Sequence, residues 1–327
     1  MEEFASCSVI KIKDIPVLTY EQFFSRVDGY LCKNNCHCVN YFSVPFNSGF
    51  MNVCCIADDE NHKILVLAHK QSEGLEALTS KHYAMHVFER EMHENYGISF
   101  TNHPWLKPVR YPYNRYNKDN CIENYPFYSI DSDELHEVGV GPIHAGIIEP
   151  GHFRFICDGE KVLHLEIMLG YQHRGVEQLM IDKQHQLQKA VIAESIAGDT
   201  AVGHSIAYAL LMESLAGNVP SVRLNIERTI ALELERIAIH IGDTSALCMD
   251  IAYQLGQVTC EALRTIIINT TQAWCGNRFG KAFIRPAGTN YPLNDATKKI
   301  ISDNLNKVER RYQEVTDLMF NSPSVLS

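Results

Sequence analysis

The residue types best suited to chemistry concentrate in one stretch, Gly141-Pro142-Ile143-His144-Ala145-Gly146-Ile147-Ile148-Glu149-Pro150-Gly151-His152-Phe153-Arg154. Its glycines and prolines dictate a turn-rich backbone, and such a loop can bring several titratable side chains together. Glu149 and His152 are of the types that accept and pass protons near neutral pH. From spacing alone, a loop of solvated charges accounts for the same residues equally well. A second mixture follows at a strand-to-helix transition, Gly170-Tyr171-Gln172-His173-Arg174-Gly175-Val176-Glu177. Helix capping with surface charges explains it, and His173 and Glu177 remain further candidates for a proton path. His204, on a small-residue helix, reads as a core histidine.

Eleven cysteines also call for an account. The nearest approach to a metal cluster is Cys32-Lys33-Asn34-Asn35-Cys36-His37-Cys38, whose soft ligands suit zinc or an iron–sulfur cluster. The spacing matches no common pattern and no CxxC occurs in the chain. Reduced, structural thiols are the expectation, since free cysteine packs as a small hydrophobe. A net charge of −10 and no block of basic residues exclude nucleic acid as a natural partner. There is no Gly-rich phosphate cradle, no HExxH and no GxSxG elbow. No apolar run reaches the roughly 18 residues of a membrane span. The opening MEEFASCSVIKIKD lacks the basic-then-apolar pattern of a signal peptide, so a cytoplasmic location is expected, with membrane attachment only through partners.

The elements that must position these groups follow from periodicity. A helix is predicted from Thr19, strands over 41–44, 51–56 and 63–69, and a helix over 83–95 stopped by Gly97. Residues 111–138 lack periodicity and read as a linker, which places a domain boundary near 130. Asp158-Gly159 between two apolar runs predicts a β-hairpin over 153–168. Helices are predicted over 174–183, 186–216, 222–249, 254–275 and 294–319, with Ile226, Ile230, Leu234, Ile237 and Ile241 as a buried stripe. The fold class is therefore α+β: a small N-terminal α/β domain (1–130), then a β-hairpin and a mostly helical bundle (131–327).

At the residues already named the chain resembles a known family. GPIHAGIIEPGHFRF (141–155) and LGYQHRGVEQL (169–179) are similar to the opening of the large subunit of membrane-bound, energy-converting nickel–iron hydrogenases of formate-hydrogenlyase type. The related quinone-site subunit of complex I begins similarly. LELERIAIHIGDTSAL (232–247) and FIRPAG (283–288) resemble further blocks of that family. Residues 88–100, Phe88-Glu-Arg-Glu-Met-His-Glu-Asn-Tyr-Gly-Ile-Ser-Phe100, and the HPWLKP at 103–108 resemble the small peripheral-arm subunit of complex I. A fusion of the two is what formate-hydrogenlyase-type large subunits look like.

The resemblance implies a subunit of a hydrogenase-related or complex I-like oxidoreductase. It would dock a ferredoxin-like iron–sulfur subunit and membrane-arm subunits at the inner face of the membrane, and would bind no cofactor of its own. Glu149 matches the hydrogenase glutamate implicated in proton transfer. Where the family carries its first nickel-binding CxxC, this chain has Ala197 and Thr200. Alanine offers no donor and a hydroxyl is a hard, weak ligand for a soft site. The second CxxC lies further along longer family chains, so with an end at Ser327 its loss by truncation is expected. The quinone-site histidine of complex I aligns with Pro150, two residues from His152, and its tyrosine with about Gly198. That leaves His152 as the residue to test for quinone. The competing readings are a truncated nickel–iron hydrogenase large subunit and a structural remnant without chemistry.

Overall fold

The computed structural model describes residues 3–5, 7–47, 49–70, 74–144 and 149–326. The chain forms two compact units, Met1–Gly175 and Val176–Ser327.

The first unit is built on a five-stranded sheet. Its strands are β1 (Glu3–Ala5), β2 (Val17–Leu18), β3 (Cys36–Phe46), β4 (Gly49–Asp58) and β5 (Lys63–Lys70), with α1 (Tyr20–Leu31) between β2 and β3. β3, β4 and β5 pair antiparallel in that order; β1 and β2 both lie along the far edge of β5. Thr19 caps α1 and exchanges bonds with Gln22, the capping box that fixes the predicted start. The sheet is covered on both faces, which is why β4 and β5 read as near-continuous apolar runs. Phe23 and Val27 of α1 pack with Tyr41, Cys54, Ile56, Leu65 and Leu67 on one face. Met51, Val53, Val66 and Ala68 form a second cluster.

Next come β6 (Leu75–Glu76), α2 (His86–Tyr96) and β7 (Phe100–Thr101). α2 ends at Gly97, whose φ of 72° is the left-handed cap that glycine takes without strain. The polar residues of the 88–100 motif are spent inside this unit. Buried Glu89 accepts from Leu78 N, Thr79 N and Thr79 Oγ1. Glu94 accepts from the amides of Val109, Arg110 and Tyr111. Arg90 donates to the carbonyls of Lys107 and Pro108 and stacks on Trp105.

A three-stranded antiparallel sheet completes the unit: β8 (His136–Val140), β9 (His152–Asp158) and β10 (Lys161–Met168), in the order β10-β9-β8. The hairpin turn at 158–159 stands where Asp-Gly predicts it. The division near 130 falls inside this compact unit, for a physical reason. Glu166 of β10 is buried and accepts from Tyr128 N (2.8 Å) and from Lys107 Nζ, so the aperiodic segment is stitched to the hairpin.

The second unit holds α3 (Val176–Asp182), α4 (Gln186–Ala193), α5 (Ala201–Ala216), α6 (Val222–Asp250), α7 (Gln254–Cys275) and α8 (Asp295–Phe320). A short hairpin, β11 (Ile284–Arg285) and β12 (Gly288–Thr289), lies between α7 and α8. Its core joins Val202 and Ala209 of α5, Leu234 and Ile241 of α6, Leu263 and Ile267 of α7, and Val308 of α8. Two expectations are corrected. The helix predicted over 186–216 breaks between Ala193 and Ala201, where Glu194 turns its side chain away to bind other parts of the unit. The buried stripe of α6 runs through Leu224, Ala231, Leu234, Ala238, Ile241 and Cys248, whereas Ile226 is exposed. Leu234 and Ile241 are buried as the pattern predicts, and Ile230 and Ile237 are half-buried against the same core, so the stripe is shifted round the helix rather than lost. Among the described residues no helix is long and apolar enough to cross a membrane.

Candidate functional site

β8 and β9 present the loop that carries the candidate proton groups. Gly139 faces Arg154 and Val140 faces Phe153 across the pair. Beyond them three contacts close the stem: Gly151 N to Pro142 O (3.2 Å), His144 Nε2 to Gly151 O (2.8 Å) and His152 Nδ1 to Gly141 O (3.3 Å). A carbonyl only accepts, so His144 Nε2 and His152 Nδ1 must carry hydrogens. In neutral His152 this leaves Nε2 as the proton acceptor. Gly141 has φ 93°, and a Cβ there would stand 2.1 Å from Gly151 O, so only glycine closes this stem. At Gly139 a Cβ would come to 3.2 Å from His152 Cε1, so that glycine makes room for the ring. The His152 ring meets Phe127 edge-on at 5.4 Å. Arg154 pairs with Glu137 and lies over Phe127.

Glu149 is exposed and accepts from Gln172 Nε2 at 2.6 Å. The two motifs of the sequence therefore meet through Gln172. Among the described residues no hydrogen bond joins Glu149 to His152. The intervening 145–148 lie outside the described residues. His173 N closes a turn onto Gly170 O (3.1 Å). Glu177 stands in the first turn of α3, in the second unit. The site is thus an ordered loop stem with one exposed carboxylate, Glu149, and two half-buried imidazoles, His144 and His152.

A second polar constellation, which spacing did not reveal, surrounds the 283–288 block. Glu194 accepts from Arg285 Nη1 (2.5 Å) and Ala282 N (3.0 Å). Glu213 takes a two-pronged bond from Arg228 (2.6 and 3.0 Å) and another from Ala287 N (2.6 Å). Arg228 also donates to Arg285 O. Glu213 and Arg228 are 2% and 3% exposed. Burial penalises the Glu213 carboxylate, and the Arg228 and Ala287 bonds outweigh it, holding its pKa below the usual range. Residue types gave no signal for it, because α6 carries other charged residues, Arg223, Glu233, Glu235, Arg236, Asp243 and Asp250, besides Glu227 and Arg228.

The segment assigned to the nickel ligands is the break before α5. Ala197 lies in a bend, and Thr200 precedes the helix without capping it. Thr200 Oγ1 is buried with no hydrogen-bond partner. Glu235 of α6 takes over as cap, accepting from Val202 N (2.7 Å) and Gly203 N (2.9 Å). Burial, with Asp199 adding to it, pushes the Glu235 carboxyl up despite those bonds. The adjacent cavity of about 20 Å³ has room for about one water. The described cysteines of this unit, Cys248, Cys260 and Cys275, are buried within α6 and α7. This donor set does not fit a thiolate-bound nickel–iron centre.

The cysteine run of the first unit does not converge either. Cys36 is buried, Cys38 bonds with Cys54, and His37 pairs with Asp59 at 3.1 Å. Cys32 faces elsewhere, toward Asp28.

A family model described as "Respiratory-chain NADH dehydrogenase, 30 Kd subunit" matches residues 24–127. The chain is 30% identical over 192 residues to the carbon monoxide-induced hydrogenase of Rhodospirillum rubrum, covering 58% of this chain and 53% of that one. It is 28% identical over 195 residues to an NADH-quinone oxidoreductase component of Deinococcus radiodurans, covering 59% and 48%. The chain spans about half the length of these relatives. The fold is similar to a chain of the membrane-bound sulfane sulfur reductase, an archaeal respiratory membrane complex, with a TM-score of 0.55 at 18% identity over 61% of this chain and 52% of that one.

Proposed function

We propose that this chain, which belongs to the membrane-bound hydrogenase and complex I-like family, serves in such a complex as a scaffold and proton-relay subunit without a nickel–iron centre of its own. It docks a ferredoxin-like iron–sulfur subunit and membrane-arm subunits, peripheral to the inner face of the membrane. The observation that carries the absence of nickel is the pair Ala197 and Thr200, which supplies no soft donor at the first ligand positions. The nearby carboxylate, Glu235, is already committed to two backbone amides.

The docking role is supported by apolar side chains left in solvent across the α5–α6 corner. Leu211, Leu215, Val219, Val222 and Ile226 are each more than half exposed, an arrangement typical of interaction surfaces. Glu149 and His152 are the proposed relay, with Gln172 holding Glu149 in place; His173 of the same unit and Glu177 of the second unit are further candidates, each taken by itself, and His152 is the group to probe for quinone. The family match ending at residue 127 supports reading 1–130 as the 30-kDa-subunit part and 131–327 as the large-subunit part.

Isolation of the tagged chain with its native membranes tests the assignment. An iron–sulfur subunit and membrane subunits should co-purify, with nickel far below one per chain. Stoichiometric nickel would overturn the scaffold reading, and recovery of the chain alone would remove the docking role.

A further inference from the structure

We propose that Asp28, Cys32 and His82 form a binding site for a zinc-class divalent cation on the first unit, remote in sequence from the loop at 141–154. Asp28 and Cys32 are four residues apart at the C-terminal end of α1 and so share one helix face. His82, between β6 and α2, is brought to the same point. Their ligand atoms all lie within 4.8 Å of one another. Asp28 Oδ1 is the hub, receiving His82 Nε2 at 2.8 Å and Cys32 Sγ at 3.8 Å.

Those separations are close to what a tetrahedral cation requires. With bonds of about 2.0–2.1 Å to oxygen and nitrogen and about 2.3 Å to sulfur, ligand atoms stand roughly 3.3–3.6 Å apart. The Asp28–Cys32 contact is already near that edge length, and the His82 contact needs to open by only about half an ångström. One thiolate, one imidazole and one carboxylate is the mixed donor set zinc accepts, and it leaves a fourth position for water. His82 and Asp28 side chains are 16% and 25% exposed, so they are held by packing yet reachable from solvent. Asp28 also lines an open cleft of about 360 Å³ with Phe24, Glu76 and Lys81.

Lys81 Nζ bonds the other Asp28 oxygen at 2.8 Å. It occupies one oxygen and leaves Oδ1 to the cation, and its charge weakens the site. Binding displaces the Cys32 thiol proton to water, frees His82 Nε2 by moving its hydrogen to Nδ1 or to water, and forms metal–thiolate and metal–imidazole bonds; no electron is transferred.

Cobalt(II) added to the full chain tests the site, with zinc as competitor. A thiolate-to-cobalt charge-transfer band should appear in the wild type and in Cys7→Ser, and vanish in Cys32→Ser. His82→Gln and Asp28→Asn should each weaken zinc binding at least tenfold, and Lys81→Met should strengthen it several-fold. In the wild type alone, stoichiometric zinc should slow alkylation of Cys32 at least tenfold in mass-mapped labelling. No cobalt–thiolate band, a band that survives in Cys32→Ser, or unchanged Cys32 labelling overturns the proposal.

Discussion

The loop at 141–154 and the knot around 283–288 both belong to blocks that resemble the same family, yet they treat their charges in opposite ways. In the loop, Glu149 stands in solvent on a single bond from Gln172. In the knot, Glu194, Glu213 and Arg228 are buried, and each bonds backbone as well as side chain. A carboxylate fixed by a two-pronged arginine and a backbone amide has most of its lone pairs committed and no proton to offer a reaction. Shared motifs therefore mark both the parts that hold a fold together and the parts free to do chemistry. Burial and bonding separate the two.

The largest expected effect breaks the knot. Glu213→Ala strands the Arg228 guanidinium in the core and should cost about 3–5 kcal/mol, measured by urea unfolding. Replacing both partners by Leu and Met should recover much of that loss, because the core then holds no unpaired charge. A single-variant loss below about 1 kcal/mol, the range of an exposed pair, would show that the knot is not the buried ion pair described.

Next in size is a pH effect confined to the first unit. His69 is fully buried, bonded to Tyr41 Oη at 3.1 Å, and burial lowers its pKa to about 4. His103, beside Glu89, is likewise lowered to about 4 by burial. Both values lie below the ordinary histidine value near 6.5, so the unfolded chain takes up protons that the folded unit refuses. Their contribution is complete above about pH 6.5 and is lost as pH falls toward about 4, at roughly 2–4 kcal/mol for each histidine. Unfolding followed by Trp105 fluorescence across that window should show it, and His69→Gln should flatten the slope. A slope unchanged in the variant would assign the acid sensitivity to other groups.

The outlines of the fold were legible because they rest on local rules. The Thr19 box, the Gly97 stop and the Asp158-Gly159 turn are short-range signals whose chemistry is complete within a few residues. Glu149 and His152 stood out by residue type, and positions 197 and 200 only through the family resemblance; their roles rest on the proposal made above. What the sequence concealed is long-range pairing. Glu194 meets Arg285 across 91 positions, Cys32 meets His82 from a different element of the first unit, and no periodicity encodes either. The cysteine run at 32–38 singled out Cys32 but with the wrong partners, because strand alternation turns Cys36 into the core and Cys38 toward Cys54.

A smaller effect sharpens the comparison at the break before α5. Thr200 Oγ1 is buried, unpartnered and makes no cap. Thr200→Val keeps the shape and removes the unsatisfied hydroxyl, so it should stabilise the second unit by about 0.5–1.5 kcal/mol. Destabilisation in the same thermal or urea assay would mean that the hydroxyl has a partner in solution.

The smallest effect on stability should accompany the largest effect on function. Glu149→Gln keeps an oxygen to accept from Gln172 and removes only the ionisable group, at an exposed position. Its unfolding free energy should stay within about 0.5 kcal/mol of the wild type. If the exposed carboxylate passes protons, coupled turnover of the assembled complex should fall by roughly 10²-fold or more. His152→Asn, which can keep a donor toward Gly141 O, should lower turnover less if the ring is secondary to Glu149. Full turnover in both variants would make the loop as purely structural as the knot, and the distinction by burial would then no longer locate the chemistry of this chain.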